Sequence, residues 1–507
     1  MTQEHDIRIH QLVAEHAIRM PEAIAIVDAN GSEHSYGQYQ AAIVDAAVLL
    51  SDHGVVTGDR VLLVAENCLT TAVFIFAASA IGAYIIPVNA RMTAAEIRQV
   101  TEHALPRLTV FTTGASAESA SHAVTANAVI VDTGYGTFGL AVSQPGEPDD
   151  IDADGTAAIL YTTGTTGAPK GVMLTHANLR FSAKTSAELR GLVASDHVYG
   201  VLPLTHVFGF ASMLMASCHA GAKVQLETRF RPDLVYMGLM NGVSVFPGVP
   251  QMHALVMQYA SEQGLTRLEN SQLRYVSSGA APLDPAWKRK AEAFYGVALQ
   301  NGYGMTETTA AVCATSNAIG TDDTSVGPAL AGISIRLDTE SKLSSDAGTG
   351  EVLTRGPHVM KGYFRNAVET ARTIDADGWL RTGDLGRIDH QGNLHIAGRS
   401  KELIIRGGFN VYPPEVEAAL NDHPDVIQCA VVGRKLDTGD EEILAFVQCA
   451  DPDSLDTEAL AQFVAEQLVS YKRPSRIIAT TLLPAAATGK ILKHKLVSTF
   501  AGQLATS

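Results

Sequence analysis

"YTTGTTGAPKG", Tyr161 to Gly171, places four threonines, three glycines and one lysine directly after the apolar run Ala157–Leu160. Glycine lets a backbone turn tightly and approach a ligand closely. Hydroxyls, exposed amide groups and a terminal cation suit an oxyanion. The stretch is not the common nucleotide loop, GxxxxGK[ST] opening directly into a helix. Here Gly164 and Gly167 stand three apart, and Lys170 is followed by Gly171 and the strand-like VMLTH. A phosphate cradle at this point has to come from backbone amides, from the hydroxyls of Thr162, Thr163, Thr165 and Thr166, and from Lys170.

On either side of this loop, apolar runs alternate with helical patterns. RVLLVAEN (Arg60–Asn67) reads as a buried strand, TAAEIRQVTEHA (Thr93–Ala104) as a capped helix, and RLTVFTT (Arg107–Thr113) as a further strand. The alternation continues through VSVFPGVP and LRYVSSGAAPL. It predicts α/β layers built on largely parallel sheets. Asp149–Gly155, rich in aspartate, reads as a surface linker. Near Gly398 the pattern changes: a charged start, the pair Gly407–Gly408, and a helix after Pro413–Pro414, then two strands, a helix near Thr457–Leu468 and a lysine-rich tail. The expected fold is therefore α/β, with a large N-terminal domain (1–398) of layered, mostly parallel sheets and helices and a small α+β C-terminal domain (399–507).

The 507 residues exceed what one core usually holds. A formal net charge of −16 excludes a nonspecific nucleic-acid binder, whose footprint is basic. It leaves room for a local anion site. Cys68, Cys218, Cys313, Cys429 and Cys449 are scattered, odd in number and without a CxxC pair, which argues against a disulfide framework or a zinc site. Reduced thiols and an N-terminus with no apolar signal segment point to the cytoplasm. TAVFIFAASAIGAYIIPVNA is long enough to span a bilayer. Its alanines, Gly82 and the β-type run before Pro87 read instead as a buried helix passing into a buried strand, so no membrane span is expected.

Five further motifs follow the loop in order: SGAAPL (Ser278–Leu283), NGYGMTE (Asn301–Glu307), GWLRTGDLG (Gly378–Gly386), GRSKELIIRGGFNVYPPEVE (Gly398–Glu417) and ATGKILKHKL (Ala487–Leu496). Together with YTTGTTGAPKG they resemble the adenylate-forming superfamily, which includes acyl- and aryl-CoA ligases, adenylation domains of peptide synthetases and beetle luciferases. The resemblance runs from before Tyr161 to the C-terminal tail. Its chemistry is coherent. A carboxylate is a poor electrophile; transfer to the α-phosphate of ATP expels pyrophosphate and leaves an acyl carbon whose leaving group is AMP.

The resemblance implies a role for each motif. Thr162, Thr163, Gly164, Thr165, Thr166, Gly167 and Lys170 would grip the β- and γ-phosphates. Glu307 matches the magnesium ligand, and Mg2+ commonly takes one or two carboxylates plus phosphate oxygens. Thr306 would touch the α-phosphate. Tyr303 would stack on adenine, Asn301 and Gly302 would belong to the same adenine and ribose site, and Gly279, Ala280 and Ala281 would form the opposite wall. Asp384 and Arg399 match contacts to the ribose. Lys490 matches the adenylation lysine, a cation placed where negative charge accumulates, while Lys493 and Lys495 read as surface lysines. Lys401 occupies the hinge position about which a mobile small domain would swing, and Gly407 and Gly408 would line the tunnel for the thiol of coenzyme A. His206, in PLTHVFGF, sits beside the expected carboxylate, and Phe208, Gly209, Val249, Gly304 and Met305 complete the acyl pocket.

One segment departs from the family pattern. CoA ligases often carry PDxxWGE after VVG, whereas Val432–Gly433 is followed here by RKLDTGDEEILAFV; Glu441 is kept, but Leu436 stands at the usual Asp and Gly439–Asp440 at the Trp-Gly pair. Among rivals, an amino-acid adenylation domain would need an acidic residue in His206–Ala216, which has none, and a kinase would need another lysine–glycine spacing. A catalytically inactive nucleotide-binding scaffold is opposed by the presence of Glu307, Asp384, Arg399 and Lys490. The segments expected to line the pocket are apolar and small, so a hydrophobic acid, fatty acyl or aryl, is expected. Arg229 and Arg231 keep a dicarboxylate such as malonate or oxalate as the alternative, and a carrier protein remains an alternative acceptor to CoA. Oligomeric state is not legible in the sequence.

Overall fold

The computed structural model describes residues 7–143, 155–163, 169–279, 283–340, 348–407, 409–436, 440–485 and 491–505. The chain folds into a large N-terminal α/β domain and a small C-terminal domain. Two eight-stranded sheets make up most of the large domain. In the first, the strands Leu299–Met305, Tyr275–Gly279, Val245–Gly248, His197–Gly200, Lys223–Leu226 and Ile24–Val27 run parallel in that order. Antiparallel strands Ala310–Ala314 and Glu33–Ser35 close its two edges. In the second, Thr156–Thr163, Tyr84–Asn89, Arg60–Ala65 and Leu108–Phe111 run parallel at the centre. The outer strands of that sheet are antiparallel.

Burial explains the composition of these strands. Parallel strands covered on both faces carry continuous apolar runs, and every residue of Arg60–Ala65 is buried. The stretch long enough to span a bilayer is the helix Leu69–Ile81, buried along nearly all its length, followed by the strand Tyr84–Asn89. Gly82 stops that helix in the left-handed conformation at φ +76°, where a Cβ is disfavoured. Among the described residues no helix is long and apolar enough to cross a membrane. The helix expected at Thr93–Ala104 runs Ala94–Ala104, with Thr93 and Glu96 forming a capping box.

A four-stranded antiparallel sheet, Ser334–Asp338, Gly350–Arg355, Leu380–Ile388 and Leu394–Arg399, carries the chain to the small domain. That domain holds the hairpin Ile404–Arg406/Phe409–Val411 and a three-stranded sheet, Gln428–Lys435, Glu441–Gln448 and Arg476–Thr480, with helices Pro413–Asn421 and Thr457–Gln467 packed on it. Of the linker expected at Asp149–Gly155, only Gly155 lies among the described residues.

Candidate active site

The opening motif is a hairpin connection. Strand Thr156–Thr163 leads into the loop and strand Pro169–Thr175 returns from it, with Thr162 opposite Lys170 and Thr163 opposite Pro169. Helix His176–Arg190 begins only after that return strand, with Thr175 as its cap. Lys170 and Gly171 therefore lie on a strand rather than at a helix N-terminus, as the spacing predicts. Gly164, Thr165, Thr166 and Gly167 lie outside the described residues, as do the side chain of Thr163 and residues Ala280, Ala281, Gly408 and Lys490.

Three distant motifs meet beside this hairpin. The Tyr303 hydroxyl donates to Oδ2 of Asp384 at 2.6 Å across 81 residues of chain. Arg399 Nε sits 3.0 Å from Oδ1 of the same carboxylate. Asp384 is buried, and it is aimed by a tight turn: Gly383 adopts φ +73°, and Thr382 Oγ1 accepts from the Asp384 amide at 3.1 Å. The neighbouring Asp384 charge raises the guanidinium pKa of Arg399, and burial pushes the Tyr303 phenol well above its usual range. Asn301 is buried and committed to its surroundings, its amide donating to the Ser325 carbonyl at 2.9 Å and its oxygen accepting from the Gly302 N–H at 3.0 Å.

Glu307 lies just beyond, in the short turn Thr306–Thr308, and both Thr306 and Glu307 are buried. Burial raises the pKa of Glu307, while hydrogen bonding to Tyr363 and the charges of Arg399 and Lys170 favour its ionised form. The turn ends in two consecutive non-glycine residues at positive φ, Thr309 (+49°) and Ala310 (+82°). Such conformations are retained where surrounding structure enforces them, and here Thr309 Oγ1 is tied to the His358 carbonyl at 2.8 Å.

An unusual element carries two of the residues expected to line the acyl pocket, Phe208 and Gly209. Phe208–Met215 is a π-helix of eight residues that begins two positions after His206, a form seen mostly as short bulges, often at functional sites. Gly209 permits it, because a Cβ there would run into the Pro203 carbonyl. The Phe208 ring lies 3.1 Å from where a Cβ on Gly279 would stand. Val249 is buried, while His206, Phe208, Gly304 and Met305 remain partly or fully exposed. His206 Nδ1 accepts from the Phe208 amide at 3.3 Å, which orients the imidazole locally.

Two arginines noted in the sequence are engaged by protein carboxylates. Arg229 pairs with Glu66 at 3.2 Å and with Glu118, and Arg231 pairs with Asp233 at 2.5 Å. In the small domain, Glu441 and Asp440 accept from the Ile405 and Gly407 amides at 2.7 and 2.8 Å, so the segment that departs from the family pattern holds the glycine loop.

The expectation that Lys493 is a surface lysine is wrong. Its ammonium group lies 2.8 Å from Glu417 and 3.3 Å from Glu402, with 24% of the side chain exposed. Burial disfavours its charge, but the two carboxylates outweigh that and raise its pKa. Lys495 is exposed, as expected. Tyr363 and Glu369 have no counterpart in the sequence reading. Tyr363 reaches Glu307, and Glu369 forms an ion pair with Lys170. The signal available was the KGYFRN segment, whose aromatic pair interrupts an otherwise polar connection.

Comparison with known proteins accords with this geometry. Residues 13–364 match the model of the AMP-binding enzyme family, and 415–490 match that of the AMP-binding enzyme C-terminal domain. A 4-coumarate–CoA ligase of Oryza sativa subsp. japonica is 34% identical over 96% of this chain and 94% of its own. A 2-succinylbenzoate–CoA ligase of Geobacillus kaustophilus is 32% identical over 95% of this chain and 96% of its own. Among solved structures, ATP-bound MatB from Rhodopseudomonas palustris superposes with a TM-score of 0.83 at 30% identity, covering 97% of this chain and 99% of that one. The o-succinylbenzoate coenzyme A synthetase of Bacillus subtilis with ATP and magnesium ion gives 0.79 at 26% identity, covering 96% and 98%. With both domains matched, the chain belongs to the AMP-binding enzyme family, the adenylate-forming superfamily.

Proposed function

We propose that this protein is a cytoplasmic, AMP-forming carboxylate–CoA ligase acting on a hydrophobic acid, with an aryl carboxylate as the favoured class. The observation that carries the reading is the Tyr303–Asp384–Arg399 contact, which draws three motifs together beside Glu307. Relatives named as 4-coumarate and 2-succinylbenzoate CoA ligases support the reaction and the aryl class. The apolar lining from Phe208, Val249 and Met305 supports a hydrophobic acid, and the pairing of Arg229 and Arg231 with Glu66, Glu118 and Asp233 speaks against a dicarboxylate. Five free, buried cysteines suit a reducing compartment.

In this mechanism Lys170, Thr162 and the loop between them hold the triphosphate, and Asp384 and Arg399 bind the ribose. Magnesium fits the donor set. Glu307 offers a buried hard carboxylate that would hold the ion, and phosphate oxygens of ATP and water would supply the other ligands. When bound, the ion neutralises phosphate charge. Lys490 then stabilises charge as the carboxylate attacks the α-phosphate. Rotation of the small domain about Lys401 brings Gly407 and Gly408 to the thiol of coenzyme A. The proposed domain boundary is 398/399.

A panel of coumarate, benzoate, octanoate and malonate, scored by CoA-thioester formation with Mg-ATP, tests this reading. Preference for an aryl acid is the expected result. Preference for malonate overturns the substrate class, and no pyrophosphate release with any acid overturns the ligase.

A further inference from the structure

The segment Met360–Thr373 sits between the two charged groups expected to meet the triphosphate. Gly362 and Tyr363 pair antiparallel with Met173 and Val172, which places them beside the strand that carries Lys170. The Phe364 amide donates to the Gly171 carbonyl at 2.7 Å, and the Met360 amide donates to the Glu307 carbonyl at 2.9 Å. One short stretch is thus bonded to the phosphate hairpin and to the backbone of the metal-facing carboxylate.

Its side chains repeat the connection. The Tyr363 hydroxyl donates to Oε1 of Glu307 at 2.9 Å in a buried setting. Lys170 Nζ lies 5.1 Å from the centroid of the Tyr363 ring, a cation held over its face. Lys170 is also paired with Glu369, on the helix Ala367–Thr373 that begins four residues after Tyr363. The backbone of Tyr363 is itself fixed, its amide donating to Thr370 Oγ1 at 2.9 Å.

We propose that Tyr363 is a positioning residue for metal-nucleotide binding: its hydroxyl fixes one oxygen of Glu307 so that the carboxylate is presented to the magnesium of Mg-ATP, while its ring keeps Lys170 at the same site. This rests on the reading that Glu307 holds the metal. A carboxylate left to rotate would lose part of its affinity in ordering itself, and a residue that aims a metal ligand commonly matters about ten- to a hundredfold in metal affinity. A purely structural tyrosine would contribute packing alone, which phenylalanine supplies equally.

Tyr363→Phe removes only the hydroxyl and keeps the ring beneath Lys170. Calorimetric binding of ATP, without acid substrate, is compared in Mg2+ and in EDTA for wild type, Y363F, E307Q and the double variant. The expected result is that Y363F weakens ATP binding in Mg2+ by about tenfold and in EDTA by less than about twofold. E307Q abolishes the Mg2+ enhancement, and the double variant binds as E307Q does, because the two side chains act as one unit. Wild-type Mg-ATP affinity in Y363F, or a double variant weaker than E307Q by the full Y363F factor, overturns the proposal while leaving Glu307 as the metal ligand. An intact Mg2+ enhancement in E307Q overturns both.

Discussion

Tyr303 donates its hydroxyl proton to Asp384 at 2.6 Å, joining the strand Leu299–Met305 to the turn at Gly383. Arg399 occupies the other oxygen of the same carboxylate. A charge held between two donors has a fixed orientation, which the proposed ribose contact would use. Asp384→Ala is expected to lower adenylate formation with ATP by about ten- to a hundredfold, the worth of hydrogen bonds to a charged group. Wild type should show much of the same loss with 3′-deoxy-ATP, and the variant should barely distinguish the two nucleotides. Equal discrimination by both proteins in pyrophosphate-exchange assays would remove Asp384 from ribose binding.

Lys490 is expected to act in the first half-reaction only. Lys490→Ala should slow acyl-adenylate formation by about a hundred- to a thousandfold. Conversion of supplied acyl adenylate and CoA to thioester should stay near the wild-type rate. Single-turnover assays of the two halves separate these outcomes, and an unimpaired first half would exclude the lysine from adenylation.

If Lys170 meets the triphosphate as proposed, Glu369 is its rival for that cation. The Lys170 ammonium lowers the pKa of Glu369, which stays charged and paired at neutral pH. Glu369→Gln should strengthen ATP binding in EDTA by several-fold. Stability should change by less than about 1 kcal/mol, since both side chains are partly exposed. Weaker binding in the variant would show that Glu369 supports Lys170 rather than competing for it.

Lys493 binds the C-terminal tail to Glu402 and Glu417, and Glu402 adjoins the expected hinge residue Lys401. Lys493→Met leaves two carboxylates, one of them over a third exposed, without their shared cation and should destabilise the small domain by about 1 kcal/mol. A lowered unfolding transition with unchanged nucleotide affinity is the expected calorimetric signature. An unaltered transition would mean that the ion pair contributes nothing net.

His253 gives stability a defined pH dependence. It is fully buried among Phe246, Trp287 and Tyr295, and burial lowers its pKa from 6.5 to about 4. Between those values the unfolded chain binds a proton that the folded chain refuses, so this contribution is complete above pH 6.5 and is lost as pH falls toward 4. From pH 7 to pH 5 the loss should be about 2 kcal/mol. His253→Gln should flatten that slope in denaturant unfolding, and an unchanged slope would assign the acid sensitivity to other groups.

Much of the local architecture was legible because it depends on neighbours along the chain. Thr93 and Glu96 form a capping box because they are three residues apart, and Gly82 ends its helix because no Cβ obstructs a positive φ. The spacing of Gly164, Gly167 and Lys170 excluded a helix-opening loop, and the returning strand agrees. The order of the motifs was enough to point to the family. The π-helix at Phe208–Met215 was not legible, since its period is set by packing rather than by apolar spacing.

What the sequence by itself determined was the alternation of strand and helix, the turns and caps, and the identity of the chemical groups available. Only the tertiary structure decided which of those groups meet. Lys493 read as a surface lysine, yet Glu402 and Glu417 close around it, and nothing along the chain pointed to Tyr363, whose hydroxyl reaches Glu307, 56 positions away. The reason is physical: a charge or a hydroxyl is buried or left in water according to the partners that close around it, and those partners come from remote parts of the chain.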